Sequence, residues 1–301
     1  MTARARFLAA GLFACMPAAA RAQAGAEGFL LSRTAGDARA AALGGAADPL
    51  PEGLAATAAN PAGLALRREK AFADTLLSWP SGFVGDTLGG ELPAGDAGGI
   101  AASLTLLRHE SLPVTTEIRP DGTGGLVGIL SGELTLVGGQ WISEQQAAGV
   151  ALRLLHEELG DRKTEALAAD AGLVRVLAPE WTAGVAVRGL GRIIRAAASR
   201  DPFPLAVLGG VRYELPDLPA RAYAAADWQP YGSNGVAFGA EGGELFGIAL
   251  RLGVAVRAAT GTRVTGGLGY HAGLWAFDYA YAPVADLGGA HRLTLSLRFG
   301  S

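Results

Sequence analysis

The chain has 301 residues, of which 50% are apolar and 18% charged, and its formal net charge is −3. Its mean hydropathy is only +0.27. No uninterrupted apolar run approaches the ~20 residues that a membrane-spanning helix needs, so a helical membrane protein is excluded. An acidic chain whose only lysines are Lys70 and Lys163 has no footprint for nucleic-acid binding. Its 45 glycines follow no fixed period, which excludes collagen and favours a β-rich protein with many turns.

The first 24 residues have the three parts of a secretory signal peptide. Two arginines stand before an apolar stretch over 7–20, and the small residues AQA at 22–24 form a cleavage site, so we expect cleavage after Ala24. The alternative is a lipoprotein signal, since LFAC at 12–15 resembles a lipobox, although the large Phe13 counts against it. Cleavage after Ala24 would remove Cys15, the only cysteine, and leave no thiol for a disulfide or for catalysis.

Residues 25–68 differ in pattern from the rest of the chain. Asp37 is followed by ARAAAL and two glycines, which predicts a short helix with Asp37 as its N-cap. A second helical turn is predicted over 52–58, and the sequence NPAG at 60–63 is expected to end it. The segment is small and rich in alanine, so it cannot form a core alone. We expect it to pack against or inside something larger.

From residue 69 to residue 301 the chain predicts one domain of strands and turns, with no linker. In the last segment the apolar residues at 293, 295, 297 and 299 alternate with polar ones, which is the period of a half-buried strand. Segments 205–215, 250–257 and 275–282 alternate in the same way. Weaker candidates, which bring the total to about 14, begin near residues 72, 100, 114, 132, 148, 168, 181, 222, 235 and 263. Turn signals that separate strands occur at 120–122, 160–161 and 233–235.

The faces of these strands favour a membrane barrel over a soluble sandwich. The less apolar faces mix glycine and alanine with isolated Arg, Asp, Ser and Thr, which suits a restricted lumen, whereas a sandwich would expose many charges. Tryptophans at 79, 141, 181 and 228 stand near strand ends, as in interfacial girdles; the alternative is ordinary core tryptophans. Turning the last strand over would point Arg292 and Arg298 at lipid, at about 2–4 kcal/mol each near the midplane. The predicted fold is therefore an all-β, transmembrane antiparallel β-barrel of about 14 strands.

Both ends of the chain resemble the PorV/PorQ family, relatives of the FadL-type outer-membrane transporters. The matching N-terminal residues are Gly36, Ala38, Arg39, Leu43-Gly44-Gly45-Ala46 and Asn60-Pro61-Ala62-Gly63-Leu64. The matching C-terminal residues are Asp278-Tyr279-Ala280-Tyr281, Asp286-Leu287-Gly288 and His291-Arg292. The resemblance implies a 14-stranded barrel (69–301) whose short helical N-terminal segment (25–68) sits in the lumen as a hatch. This chain departs from the family at Ala58-Ala59, where an aromatic often precedes the asparagine, and at Gly300-Ser301, which follow the terminal aromatic.

The sequence offers little for catalysis. The four histidines, at 109, 156, 271 and 291, fall in different hairpins without metal-ligand spacing. The GLG at 189–191 lacks the third glycine of a dinucleotide loop, because Ile194 stands in its place. No nucleophile is paired with a base. We therefore expect no enzyme activity, no metal and no cofactor.

The candidate functional residues belong to the hatch and to the inward faces of the strands. Asn60, Pro61, Ala62 and Gly63 form the hatch motif, which is predicted to anchor a hatch whose movement gates passage. Phe299, as the terminal aromatic, is predicted to be the assembly signal. Inward arginines could form a ladder for an anionic headgroup or, as we favour, pair with Asp170, Glu214 and Asp278 and hold the hatch to the wall. The candidate lumen residues are Arg212, Arg251, Arg257, Asp278, Arg292 and Arg298.

The resemblance gives the functional expectation two forms. FadL-type members pass hydrophobic small molecules, whereas PorV members serve type IX protein secretion, so both remain open for an exported outer-membrane barrel. The expected partners are outer-membrane lipid, the barrel-assembly machinery, and either a hydrophobic ligand or secretion-system proteins, with no nucleic acid. The alternative is a soluble periplasmic or lipid-anchored β-protein with a binding or structural role.

Overall fold

The computed structural model describes residues 29, 31, 36–67, 69–195, 203–243, 246–284 and 287–299. The predicted signal peptide over 1–24, the resembling Asp286 and the trailing Gly300-Ser301 lie outside these residues. Among the helices of the described segments, none has the length and apolar character that crossing a membrane requires.

Fourteen strands of the described chain form one closed barrel. Each strand pairs antiparallel with its neighbours in sequence, and β1 pairs with β14 to close the ring. The strands are β1 Lys70–Trp79, β2 Phe83–Ala94, β3 Gly98–Pro113, β4 Leu126–Ser143, β5 Gln146–Leu159, β6 Arg162–Ala178, β7 Trp181–Arg195, β8 Ala206–Glu214, β9 Ala220–Trp228, β10 Gly235–Gly242, β11 Ile248–Arg257, β12 Gly261–Ala272, β13 Trp275–Pro283 and β14 Gly289–Phe299. The predicted all-β barrel is confirmed.

The outer face of the barrel is apolar, as the alternation predicts. On β14, Leu293 and Phe299 are 47% and 45% exposed, whereas Thr294 between them is 3% exposed. Leucine, valine and phenylalanine side chains are exposed in the same way on the other strands. So much exposed apolar surface is unfavourable in water and is the band that a lipid bilayer covers. Asp74 and Asp86 are exceptions, since their strand positions place them on the outer face of β1 and β2.

The predicted set of strands misses one strand and contains one that the described chain does not form. The strand β2 was not predicted, because Gly85, Gly89 and Gly90 interrupt its alternation. A strand was predicted near Val114, but β3 ends at Pro113 and 114–125 form a loop that contains only an isolated bridge. The total of 14 therefore holds although one member of the predicted set does not. The turn signals at 120–122 and 160–161 fall between strands, and the one at 233–235 ends on Gly235, the first residue of β10.

The two ends of the barrel differ. The first residue of β1 and the last residue of β14 lie at one end, because Lys70 pairs with Phe299. We name this the terminal end, and the opposite one the far end. Connections at the terminal end span two to five residues, whereas the loop over 114–125 stands at the far end.

Short helices build the N-terminal segment. Helix α1 spans Ala38–Ala42, and 3₁₀ helices span Gly53–Thr57 (η1), Pro61–Leu66 (η2) and, between β1 and β2, Pro80–Gly82 (η3). Asp37 caps α1 by accepting from the Ala40 N–H at 2.7 Å, as predicted. The predicted turn over 52–58 is η1. The NPAG sequence does more than end that turn, because Asn60 caps η2 and Pro61 begins it.

The N-terminal segment lies inside the barrel. Residues 36–67, which we call the hatch, put α1 against β11–β14, η1 against β1–β4 and η2 against β3–β6. In a barrel of eight strands the inward side chains fill the interior by themselves. Fourteen strands enclose a wider interior, and the hatch fills space that their side chains leave open. Two of the predicted girdle tryptophans also point inward: Trp141 donates its indole N–H to the Ala65 carbonyl at 2.9 Å, and Trp79 packs on Leu31 and Leu77.

Candidate functional site: the hatch and the lumen

Glycines on the inner wall form the bed on which the hatch lies. A Cβ added at Gly139 would lie 2.7 Å from the Pro61 carbonyl oxygen, and one at Gly149 would overlap the Pro61–Ala62 peptide. Real Cβ atoms do not approach so closely, so any side chain here would push the hatch away. Glycines with the same role face the hatch on other strands, at Gly172, Gly184 and Gly253. Part of the high glycine content is therefore explained by close approach of backbone to backbone.

The hatch motif lies at the junction between hatch and wall. Asn60 is fully buried. Its Oδ1 accepts from the Ala62 N–H at 3.0 Å, and its Nδ2 donates to the Pro49 carbonyl at 2.8 Å. The same Nδ2 reaches the carbonyls of Leu173 on β6 at 3.2 Å and Val185 on β7 at 3.3 Å. One side chain thus caps η2, ties two parts of the hatch together and attaches both to the wall.

The second half of the motif is shaped by packing. Gly63 faces the Pro51 carbonyl so closely that a Cβ would overlap it. Pro61, Ala62 and Gly63 are all buried. Ala62 packs with Leu50 and with wall residues of β5 and β6. The four residues of the motif therefore act through a hydrogen-bonding asparagine and three small or rigid residues that allow close contact.

Ion pairs join the other half of the hatch to the wall. Arg39 of α1 makes a bidentate pair with Glu241 of β10 at 2.6 and 2.8 Å and donates to the Tyr223 hydroxyl at 2.8 Å. Glu241 also accepts from Arg251 at 2.7 Å, and Arg251 in turn contacts Asp278. Removing one partner from a buried pair costs about 3–5 kcal/mol, because the other charge stays behind.

A second ionic cluster surrounds Glu52, at the start of η1. Its carboxylate accepts from Arg212 at 2.6 Å and from Arg221 at 3.2 Å, and Arg67 lies 3.5 Å away. Burial alone would raise the pKa of Glu52, but the arginine charges, led by Arg39 and Arg221, outweigh burial and hold that pKa below its ordinary value. Glu52 is therefore a charged tie between the hatch and strands β8 and β9.

The predicted lumen residues lie on inward positions of their strands. Arg212 pairs with Glu52 and with Glu214, and Arg251 pairs with Glu241 and with Asp278. Arg257 pairs with Asp227 at 2.8 Å, and Arg298 lies 3.6 Å from Glu69. Arg292 occupies an inward position of β14 beside Thr294. The geometry thus corresponds to paired arginines rather than to an open ladder.

The central anchors of this network were missed from the sequence. Arg39 and Glu241 are 202 residues apart, and nothing local marks either as a partner. Glu52 stands in a segment without strand alternation, so the inward-facing pattern could not include it. Asn60 was singled out as a helix stop and by the family motif, and neither showed that its side chain attaches the hatch to β6 and β7.

Phe299 ends the last described strand on the outer face. It is 45% exposed and pairs with Lys70, where β1 and β14 close the barrel. This is a position that membrane lipid would contact. Its role as an assembly signal stays a prediction.

An open chamber of ≈ 400 Å³ lies between the hatch and strands β1–β4 and β8–β14. Its lining reaches Leu218, Pro219 and Gly243 in turns of the terminal end, so the chamber opens toward that end. Hydroxyl groups from β1, β2, β3 and β14 line one side, and arginines and carboxylates line the rest. The chamber is polar, unlike the outside of the barrel.

Apolar residues line parts of the lumen nearer the far end. Leu77, Leu107 and Ala290 pack around Leu31 of the N-terminal chain. Phe29 packs on Leu155 and lies 5.6 Å, ring to ring, from Phe203. The N-terminal chain therefore supplies apolar side chains to this part of the lumen.

A buried carboxylate marks the opposite side of the hatch. Asp48 lines a cavity of ≈ 90 Å³ with Arg188, Asp227 and Arg257. Burial raises the pKa of Asp48 to about 6, although Arg188 and Arg257 lower it in part. Its charge therefore changes within the physiological pH range.

A closed 14-stranded barrel with an apolar outer face and its own N-terminal chain in the lumen defines a membrane barrel with a hatch. No family model matches the chain, and no curated protein matches its sequence. Solved structures do match the fold. The Pseudomonas putida toluene transporter TodX superposes with a TM-score of 0.65 at 11% identity, over 87% of this chain and 96% of TodX.

Two further structures agree. The Ralstonia pickettii toluene transporter TbuX has a TM-score of 0.64 at 12% identity and covers 88% of this chain and 98% of its own. A Pseudomonas aeruginosa FadL homologue has a TM-score of 0.61 at 12% identity, with the same coverage. At such low identity the likeness concerns the fold, which is of the FadL type. The closer resemblance to PorV and PorQ stays a prediction.

Proposed function

We propose that this chain is an outer-membrane barrel that passes hydrophobic small molecules, and that its hatch must move for passage. The observation that carries the proposal is the hatch itself, a segment of the same chain that fills the lumen of a FadL-type barrel. The hatch is held by the hydrogen bonds of an asparagine, by ion pairs and by packing on the glycine bed. All of these contacts can break and form again. Structures with the same fold carry the names of toluene transporters, which supports hydrophobic cargo.

The apolar part of the lumen supports the same proposal. Leu77, Leu107 and Leu155 face inward near the far end and contact Leu31 and Phe29. A hydrophobic molecule gains about 25 cal/mol for each Å² of apolar surface that leaves water, so such a lining can attract it. The route would then continue past the hatch to the terminal end.

The remaining parts of the proposal follow from the sequence. Residues 1–24 direct export, 25–68 form the hatch segment and 69–301 form the barrel. Phe299 serves the barrel-assembly machinery as the terminal signal, and outer-membrane lipid surrounds the apolar band. The secretion role that the PorV resemblance implies stays a prediction.

A reversible lock of the hatch tests the proposal. A Cβ at Gly239 would lie 3.2 Å from the Cβ of Ala46, close to the ~3.5–4.5 Å of disulfides. The pair Ala46→Cys and Gly239→Cys, with Cys15→Ser, should therefore form a disulfide between hatch and wall. Uptake is followed in whole cells with N-phenyl-1-naphthylamine, an apolar dye that fluoresces once it has crossed the outer membrane.

The wild-type chain should accelerate dye uptake over cells without it. Oxidation of the double variant should return uptake to that background, and a reductant should restore it, whereas Gly239→Cys alone should not respond to oxidation. Deletion of 25–64 should raise permeability. Wild-type uptake at background level would refute passage of hydrophobic molecules. Full uptake through the oxidised double variant would refute the requirement for hatch movement but not the passage of hydrophobic molecules.

A further inference from the structure

Among the described residues, one carboxylate of the terminal-end chamber forms no ion pair. Glu91, on β2, is 3% exposed and lines the chamber. Its Oε2 is buried without a hydrogen-bond partner. The carboxylate lies against the hatch, because a Cβ added at Gly53 would be 2.9 and 3.0 Å from its two oxygens. Gly53 has φ +63°, so the backbone there accommodates no ordinary side chain in place of the hydrogen.

The other acidic residues of the chamber have partners. Glu241 and Asp278 pair with Arg251, and Glu52 with Arg212. Further pairs are Glu69 with Arg67 and Arg298, Glu133 with Arg153, and Glu214 with Arg212 and Arg221. Asp37 caps α1. Among the described residues, Glu91 is the chamber carboxylate that no ion pair or hydrogen bond satisfies.

The residues directly beside Glu91 carry no polar side chain, and the two arginines whose charges act on it, Arg67 and Arg298, form ion pairs with Glu69. Its cross-strand neighbours are Ala71 on β1 and Ala101 on β3. Burial without a hydrogen bond or an ion pair destabilises the charged form of a carboxyl group. The wall therefore presents an unsatisfied carboxyl group, flanked by methyl groups, to a chamber of ≈ 400 Å³ that is open to solvent, and a cation beside it would stabilise its charged form.

We propose that this chamber binds an amphipathic organic amine whose ammonium group pairs with Glu91. The Ser103 hydroxyl, two residues along β3 from the Ala101 that pairs with Glu91, lines the same chamber and accepts an ammonium hydrogen directly or through water. On the hatch side, η1 presents Leu54 and Ala55 to a short apolar tail.

A metal ion fits the site less well. Mg²⁺ and Ca²⁺ take six or more oxygen ligands, usually with several carboxylates. Within the part of the chain that the structure describes, no group of three or more His, Cys, Asp or Glu side chains is placed to hold a metal. One carboxylate with one nearby hydroxyl suits a monovalent ammonium group.

The experiment measures equilibrium binding to the full barrel in nanodiscs by isothermal titration calorimetry. Hexylamine is the charged probe, and hexanol is its uncharged counterpart. The wild type should bind hexylamine at least tenfold more tightly than hexanol. Glu91→Gln should lose that preference, whereas Glu117→Gln, the same charge change in the exposed far-end loop 114–125, should keep it.

A second variant allows the proposal to be tested if Glu91→Gln folds poorly. Ala71→Lys places an ammonium group on the strand position paired with Glu91 and should abolish hexylamine binding by occupying the site from within. Equal affinity of hexylamine for wild type and either chamber variant would overturn the proposal, as would a wild type without preference for the amine. The measurement is independent of dye uptake, so it can fail while hydrophobic passage stands, and the reverse.

Discussion

Two neighbouring glycines of β4 provide a direct test of hatch docking. Gly139 faces the hatch, where a Cβ would lie 2.7 Å from the Pro61 carbonyl oxygen and 3.2 Å from the Leu64 Cβ. Gly138 occupies the opposite face of the strand, where a Cβ would meet nothing within 4 Å. Overpacking of this kind typically costs 1–3 kcal/mol. At about 2 kcal/mol, Gly139→Ala should raise the population with the hatch displaced roughly 30-fold, while Gly138→Ala leaves it unchanged.

The displaced population can be read from the reactivity of a buried cysteine. Ala59 lies in the hatch and is buried, so Ala59→Cys in a Cys15→Ser background reacts with a maleimide only when the hatch moves. The rate of labelling is proportional to the displaced population when opening and closing are fast. The expected result is a labelling rate that rises roughly 30-fold with Gly139→Ala and is unaffected by Gly138→Ala. Equal rates for the two alanine variants would refute the glycine bed.

The same labelling assay checks two further residues, and a gel assay checks a third. Asn60→Ala should accelerate labelling, because it removes the cap of η2 and leaves the Pro49 carbonyl without its donor, at about 1–3 kcal/mol. A rate like that of wild type would contradict the anchoring role. Burial raises the pKa of Asp48 to about 6, so protonation of Asp48 stabilises the docked hatch as the pH falls through 6. This stabilisation is complete only below pH 3.8, the ordinary pKa of the group. Between pH 8 and pH 5 the gain is about 1.4 kcal/mol, or roughly tenfold slower labelling, and Asp48→Asn should remove this dependence; a persistent dependence would point to another group. Phe299→Glu should lower the amount of heat-modifiable folded barrel in the membrane fraction, whereas normal amounts would rule out Phe299 as the assembly signal.

Local sequence patterns were sufficient to predict most strands of the barrel wall. The alternation of Leu293 and Phe299 with Thr294 shows both the strand and its outward face, because period two is a property of the strand itself. The N-cap at Asp37 was equally local. The strand β2 was missed because glycines such as Gly89 do not indicate whether a strand position is apolar or polar. Which face such a glycine belongs to depends on what packs against it.

The contents of the lumen depended on contacts distant in sequence. Gly138 and Gly139 are the same residue type side by side, yet one faces lipid and the other faces the hatch. The pairing of Arg39 with Glu241 joins residues 202 positions apart. No local rule distinguishes the paired Glu241 from the unpaired Glu91, because each is one inward carboxylate on a strand of small residues.

The sequence by itself determined the β-barrel character of this protein, the outward face of its best strands and the special nature of its N-terminal segment. These depend on composition and on a two-residue period, which act over a few neighbouring residues. Only the tertiary structure decided where the hatch lies, which arginines are already neutralised and which carboxylate is left to face the chamber. Ion pairing and close packing are set by distances across the closed barrel, and these exist only once β1 has met β14.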